Sequence, residues 1–185
     1  MGGKSALRAS VLSARESVAA ATWEHEDRAR LIHVLERLPR PGGTLALYAS
    51  RPGEPGTDDL IDEVVRAGWT VLLPVLRRQP DWAYFTSWEE MRESWGGIRE
   101  PSGARLGIGA LAEADLILVP CLSVGRDGSR LGTGGGWYDR ALPHRRHGVP
   151  VVAIAREAEL LPGVPVEPHD VMVDAAVTET GWLDL

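Results

Sequence analysis

The chain reads as an α/β protein in three layers, helices covering both faces of a mostly parallel central sheet. Three observations carry that reading. Thr44-Leu45-Ala46-Leu47-Tyr48-Ala49 and Trp69–Leu73 are short apolar strands joined through a helix ending at Ala67, the crossover that parallel pairing requires. Leu116-Ile117-Leu118-Val119 and Val151–Ala155 are continuous apolar runs, as in strands buried on both faces. The 185 residues, 20.1 kDa, suit one domain spanning 1–185. Strands alternating with helices over one domain give a Rossmann-like sandwich.

The elements follow in order. Residues 4–20 read as a helix, with Leu7, Val11, Leu12 and Val18 at helical spacing. A second helix runs from about Trp23 to Leu38, with Thr22 as N-cap and Glu24 and Glu26 in the first turn, where the helix dipole favours acids. Pro39 and Pro41-Gly42-Gly43 end it. These helices, within 1–40, are expected to pack on the sheet. The strand Thr44–Ala49 opens a Pro/Gly loop, Arg51–Gly56, after which Thr57 caps a helix that Gly68 closes. Trp69–Leu73 is the next strand, stopped by Pro74. Trp82–Thr86 reads as a strand, Trp88–Glu93 as a short helix or loop, and Gly96–Pro101 as irregular. Asp174–Thr178 is a last short strand. Ligands of such sheets bind beyond the carboxyl ends of the strands, which directs attention to the loops after Ala49, Val119 and Ala155.

Composition narrows the function classes. Hydrophobic residues at 44% and charged residues at 25% are those of an ordinary globular protein. One cysteine, Cys121, excludes an internal disulfide framework and a multi-cysteine metal site. With no apolar run near 18 residues and no apolar stretch like a signal peptide, a cytoplasmic protein without membrane contact is expected. A net charge of −6 argues against a broad nucleic-acid surface. Of the 20 basic residues Lys4 is the lone lysine, so amine chemistry has one side chain to use.

The most informative segment is Val124–Arg140. Asp127-Gly128 marks a tight turn, and Gly132, Gly134, Gly135 and Gly136 fall within five residues before a helix start. Residues without Cβ let backbone N–H groups crowd around an anion, and Arg126, Arg130 and Arg140 add charge-assisted donors. Asp139 is a hard oxygen ligand beside the expected phosphate, suited to Mg²⁺. Glycine runs also form plain flexible surface loops; the flanking arginines and Trp137-Tyr138-Asp139-Arg140 favour phosphate binding. The loop is no Walker A, lacking GxxxxGK[ST], and no dinucleotide fingerprint, since Trp137 stands where the last glycine of GxGxxG would fall.

Arg130-Leu131-Gly132-Thr133-Gly134-Gly135-Gly136-Trp137-Tyr138-Asp139-Arg140 resembles the signature of the 5-formyltetrahydrofolate cyclo-ligase family, also called methenyltetrahydrofolate synthetases. Further segments resemble the family in the same order: Lys4–Arg8 its K-x-x-x-R, Glu54–Thr57 its E-x-x-T, Leu72-Leu73-Pro74 its strand ending in proline, Gly97–Pro101 its G-I-x-E-P, and Glu167–Asp170 its E-x-x-D. The resemblance implies a cyclo-ligase or CoA-transferase-like sandwich. It also implies ATP- and Mg²⁺-dependent conversion of 5-formyltetrahydrofolate to 5,10-methenyltetrahydrofolate, with release of ADP and phosphate through an imino-phosphate. Lys4, Arg8 and Arg130–Tyr138 would then hold ATP, with Lys4, Arg130 and Tyr138 acting in catalysis. Ala49, Glu54 and Thr133–Trp137 would hold the reduced folate, and Asp139 and Asp170 the Mg²⁺. The family's aromatic before G-I-x-E-P is Gly96 here, which leaves Trp88, Trp95 and Trp137 as candidates to stack on the pterin. A monomer acting on small molecules, with no nucleic-acid partner, is expected.

Outside the signature, Cys121 reads as a small buried hydrophobe, and His144-Arg145-Arg146-His147 as a basic surface too poor in ligands for Zn²⁺. Two other readings stay open at this stage. One is a sugar-phosphate isomerase or CoA transferase on a similar scaffold; the other is a non-catalytic relative that binds nucleotide or RNA.

Overall fold

The structure is a computed structural model that describes residues 2–38 and 42–185. Two helices, α1 (Gly2–Glu16) and α2 (Ala20–Arg37), precede β1 (Thr44–Ala46), α3 (Asp58–Arg66) and β2 (Thr70–Val75). β3 (Asp81–Tyr84) returns antiparallel to β2, and β4 (Met91–Glu93) and β5 (Arg99–Pro101) form a separate hairpin. Then come β6 (Leu116–Pro120), β7 (Ser123–Gly125), β8 (Arg130–Leu131), α4 (Trp137–Ala141), β9 (Val151–Ile154), β10 (Leu160–Leu161), β11 (Ala175–Thr178) and β12 (Gly181–Asp184). The central sheet runs β12-β11-β9-β6-β1-β2-β3, parallel except at its two edge strands. A small sheet, β10-β7-β8, stands beside it.

The period-2 alternation of buried strands builds both faces of the core. From β6, Ile117 and Val119 join one cluster, with Trp82, Leu111 and Leu142; Leu116 and Leu118 join the other, with Leu45, Ile61 and Val71. α2 and α3 cover the second face. Short α4 and two 3-10 turns, 108–113 and 142–144, cover the first. The expected three-layer α/β architecture is therefore the observed one, with one helical layer thinner than the other.

Several local expectations differ from the structure. α2 starts at Ala20: Thr22 and Trp23 already donate to the Ala19 carbonyl, so Thr22 lies inside the first turn and caps nothing. Glu26 instead turns inward onto Arg156 (2.7 and 2.8 Å). β2 runs through Pro74 to Val75. Thr70 N donates to Gly43 O and Leu47 N to Leu72 O, which puts the amides of residues 70, 72 and 74 on the β1 side. Pro74 falls where the β1 ladder has ended, so its missing donor costs nothing. Residues 99–101, expected irregular, are β5, because Glu93, Arg92 and Met91 pair with them. The helix stop assigned to Pro39 and Pro41 lies outside the described residues.

The N-terminal helices do not share one docking site. α2 lies on β11 and β12 of the central sheet, whereas α1 sets Leu7 and Val11 against Leu122, Leu131 and Val164 around the small sheet. α1 is fastened by Arg15, 4% exposed. Its Nε donates to Glu159 Oε1 (2.6 Å) and Nη2 to Glu159 Oε2 (2.8 Å). Nη2 also reaches the Cys121 carbonyl (2.8 Å) and Nη1 the Gly53 carbonyl (3.2 Å). Removing one partner of a buried pair strands a charge in a low dielectric. Arg15→Met should lower unfolding free energy by about 3–5 kcal/mol, and Arg15→Met/Glu159→Met should recover much of that loss in urea titrations. A single variant as stable as the parent would show that the pair does not hold α1.

Candidate functional site

The chain leaves β1 toward β2 on one side and, from β6, toward β9 and β11 on the other. A crevice opens at such a reversal beyond the carboxyl ends of the strands. Here it is a cavity of about 620 Å³, reached by the ends of β6, β1 and β2 at Pro120, Ala49 and Pro74. α1 closes one wall with Lys4, Arg8 and Arg15.

The glycine loop forms the facing wall. Gly134 and Gly136 have φ of +106° and +60°, a backbone that side chains rarely adopt. A Cβ at Gly134 would lie 3.4 Å from the Arg8 guanidinium, an ordinary contact, so the backbone conformation and not crowding calls for glycine there. Arg8 Nε donates to Gly132 O (2.9 Å), and Arg140 Nη1 to Gly135 O (3.0 Å). Lys4 and Arg8, one helical turn apart, both reach the cavity with different partners.

Asp139 and Asp170 both line the cavity. Asp139 Oδ1 accepts from Arg130 Nη2 (3.0 Å) and from the amide of Val171, the residue after Asp170 (3.1 Å), while the Asp170 carboxylate lies within 4.8 Å of ligand atoms of Glu167 and His169. Asp170 Oδ2 accepts from Lys4 Nζ (2.6 Å) and the Glu167 amide (2.7 Å), with Glu167 Oε2 3.3 Å from Lys4. Burial works against charge on both Lys4 and Asp170, but their mutual bond outweighs it. It holds the lysine above its ordinary pKa and the aspartate below the usual carboxylate range. Both groups are therefore charged near neutrality.

The loop after β1 carries Glu54. Thr57 does not cap α3 with its side chain; its hydroxyl donates to Tyr48 O (2.5 Å) and accepts from Ser50 N (3.1 Å), stapling the loop's base. Arg51 then holds Glu54, with Nη2 2.7 Å and Nε 3.2 Å from Oε1. Trp137 and Tyr138 stand opposite, in edge contact at 4.9 Å, with Trp137 also edge-on to Trp82 at 5.2 Å. The Tyr138 hydroxyl is buried without a hydrogen-bond partner among the described residues. Burial pushes that phenol far up, against the opposing pull of Arg130, so it stays protonated.

The residues assigned to ATP, folate and Mg²⁺ all line this one cavity: Lys4, Arg8, Ala49, Glu54, Arg130 to Asp139, and Asp170; Arg126, expected as a phosphate donor, does not, and lies instead at the surface 3.9 Å from Glu157. The loop after Ala155 is not on its wall; Arg156 and Glu159 anchor helices instead. Of the three tryptophans, Trp137 lines the cavity. Trp88 packs on Phe85 and donates to Asp62, and the Trp95 side chain lies outside the described residues. His144 and His147 are not on the wall. The sequence reading missed Arg15, Tyr48, Arg51, Glu167 and the pair Arg77-Arg78. Arg77-Arg78 was detectable, since it directly follows a strand's carboxyl end; Arg15 was not, because only a contact 144 residues away gives it meaning.

A family model described as the 5-formyltetrahydrofolate cyclo-ligase family matches residues 1–179. The chain is 38% identical over 182 residues to a 5-formyltetrahydrofolate cyclo-ligase of Mycolicibacterium smegmatis, covering 95% of this chain and 93% of that one. The NMR structure of the Aquifex aeolicus 5,10-methenyltetrahydrofolate synthetase is similar, with a TM-score of 0.78, 27% identity and coverage of 98% of this chain and 92% of that one. A 5,10-methenyltetrahydrofolate synthetase from Mycoplasma pneumoniae shares the fold, with a TM-score of 0.76, 21% identity, and coverage of 97% and 99%.

Cys121 borders the cavity as a buried thiol, its Sγ donating to Ile154 O. Burial pushes its pKa up to about 12. At pH 8 the native thiol should react with iodoacetamide about a thousandfold more slowly than the urea-unfolded chain, whose thiolate fraction follows an ordinary pKa of about 8.5. Comparable rates, followed by mass spectrometry, would rule out the buried thiol.

Proposed function

The chain belongs to the 5-formyltetrahydrofolate cyclo-ligase family, and on that premise we propose how its cavity serves the conversion of 5-formyltetrahydrofolate to 5,10-methenyltetrahydrofolate. ATP is the phosphoryl donor in this reading, and ADP and phosphate are released. The observation that carries it is the meeting, in one cavity, of a glycine loop crossed by cations with a recessed carboxylate on the neighbouring loop.

Each residue has a task that its surroundings suit. Lys4, Arg8 and the amides of Gly132 to Gly136 hold the nucleotide's phosphates. Lys4 acts as a compact point charge and Arg8 as a fork already laid along the loop. Arg130, 7% exposed, holds Asp139 in place and keeps positive charge beside the transferring group. Glu54, kept rigid by Arg51, accepts N–H donors from the reduced pterin's aminopyrimidine edge. Ala49 and Trp137 bound that ring, and Leu131 and Thr133 complete the loop wall. The formyl oxygen of the folate attacks the γ-phosphorus, and ADP leaves. Nitrogen 10 then attacks the activated carbon of the imino-phosphate, and phosphate leaves. The neutral Tyr138 hydroxyl is a donor for that departing oxygen. Most of the rate enhancement is positioning and charge neutralisation.

Mg²⁺ belongs to the same proposal, and the donors fit it. Asp139 and Asp170 offer hard oxygens, and the described hydrogen bonds of Asp139 all end on Oδ1, leaving Oδ2 available. An ion held there offsets phosphate charge. The reading also takes the protein as a cytoplasmic monomer acting on small molecules; a net charge of −6 does not suit a nucleic-acid partner.

Protein mixed with 5-formyltetrahydrofolate and MgATP should show an ATP-dependent rise in the near-ultraviolet absorbance of the methenyl product. Folded protein without that rise would end the proposal. Asp139→Asn should lower kcat by about 10- to 100-fold, while His144→Ala, off the cavity wall, should keep the parent's rate. Equal losses would remove Asp139 from the Mg²⁺ site.

A further inference from the structure

We propose that the loop after β2, through Arg78 and its neighbour Arg77, is an anion subsite for the carboxylates of the substrate's glutamyl tail. The inference rests on the folate reading above and extends it to a part of the cavity that the reading leaves unused.

The sheet itself orders the cavity. β6, β1 and β2 are consecutive neighbours, so the end of β2 lies about 10 Å from the end of β6. The β6 end adjoins the glycine loop, the β1 end leads to Glu54, and the β2 end leads to Leu76, Arg77 and Arg78. In a folate whose pterin sits at Glu54 with its formyl group at the glycine loop, nitrogen 10 lies beside that group, and the aminobenzoyl arm beyond it has the β2 end of the cavity as its open course. Leu76 and Ile98 give that end an apolar wall, suited to the aminobenzoyl ring that precedes the tail.

Positive charge is in excess at this end. Elsewhere in the cavity four cations meet acids, Lys4 on Asp170 and Glu167, Arg130 on Asp139, Arg51 on Glu54 and Arg15 on Glu159, while Arg8 and Arg140 lie on glycine-loop carbonyls in the phosphate half. At the β2 end a single buried carboxylate, Glu100, receives both Arg77 (2.9 Å) and Arg92 (3.0 Å). Arg78 is exposed and has no ion pair among the described residues. Two guanidinium groups thus share one carboxylate, and Arg78 on the cavity wall adds a third positive charge that no acid among the described residues pairs. Glu100 also accepts the Leu76 amide (3.0 Å), and Arg77 donates to the Leu76 carbonyl (2.6 Å), so the loop is braced before any ligand arrives. A guanidinium fork matches a carboxylate in plane and spacing, and each glutamyl residue brings a carboxylate that is ionised at neutral pH.

The test is steady-state kinetics with 5-formyltetrahydrofolate and its tailless analogue 5-formyltetrahydropteroate. The variants are Arg78→Gln, Arg78→Lys and, for comparison, Arg66→Gln on α3, remote from the cavity. The quantity read is kcat/KM for the tailed substrate divided by kcat/KM for the tailless one. Arg78→Gln should lower this ratio about tenfold, the scale of one charge-assisted hydrogen bond at a partly exposed site. Arg78→Lys should recover part of the loss, and Arg66→Gln should keep the parent's ratio. An unchanged ratio in Arg78→Gln overturns the subsite alone. Absence of methenyl product from either substrate with the parent protein overturns the folate reading and the subsite together.

Discussion

The guanidinium of Arg15 is the constraint on which the cavity depends. It joins α1 to the carboxylate of Glu159, the carbonyl that follows β6 and the carbonyl beside Glu54, at 2.6 to 3.2 Å. A charge so deeply buried is tolerable only when every arm is occupied, which makes the arrangement close to all-or-none. The rest of α1 is held by two apolar side chains on a small sheet and, at its other end, by Lys4 on Asp170 and Arg8 on the Gly132 carbonyl. Since α1 carries Lys4 and Arg8, this residue helps set how that wall of the cavity faces the loop of Glu54. α2 is tied down by similar means, with Glu26, Asp27 and Glu179 converging on Arg30 and Asp27 reaching on to the Gly56 amide. The sheet is built by apolar strands, and the helices that border the site are attached to it by buried ions.

The same economy governs the cavity wall. Its acids hold its bases in advance, so the reacting groups meet side chains whose rotamers are already chosen. Glycine serves the opposite need, giving the loop the positive φ that Gly134 and Gly136 adopt. Rigid side chains thus stand around a permissive backbone on the two facing walls.

The central sheet was legible because its signals are local and strong. Leu116–Val119 and Val151–Ala155 announce buried strands, and Asp58-Asp59 with Gly68 bracket α3. The glycine loop was legible for the same reason, and all the residues assigned with it except Arg126 meet in one place. What escaped depends on distant partners. Residues 99–101 pair only because β4 is there to receive them, and Pro74 extends a strand only because β1 stops short of it. Thr57 carries the pattern of an N-cap but spends its hydroxyl on the Tyr48 carbonyl, a choice that no helix rule contains. Arg15 and Glu159 look like ordinary helix and turn residues until the fold brings them together.

The bond between Lys4 and Asp170 spans 166 residues of sequence, and that of Arg15 with Glu159 spans 144. Both join the beginning of the chain to its last third. Contacts of such separation form late, because the entropy of closing so long a loop is repaid only once the intervening sheet is in place. During synthesis, α1 therefore emerges well before the partners that seat it, and waits with Leu7 and Val11 uncovered while the sheet assembles behind it. The cavity is completed last, by a segment made before its other walls.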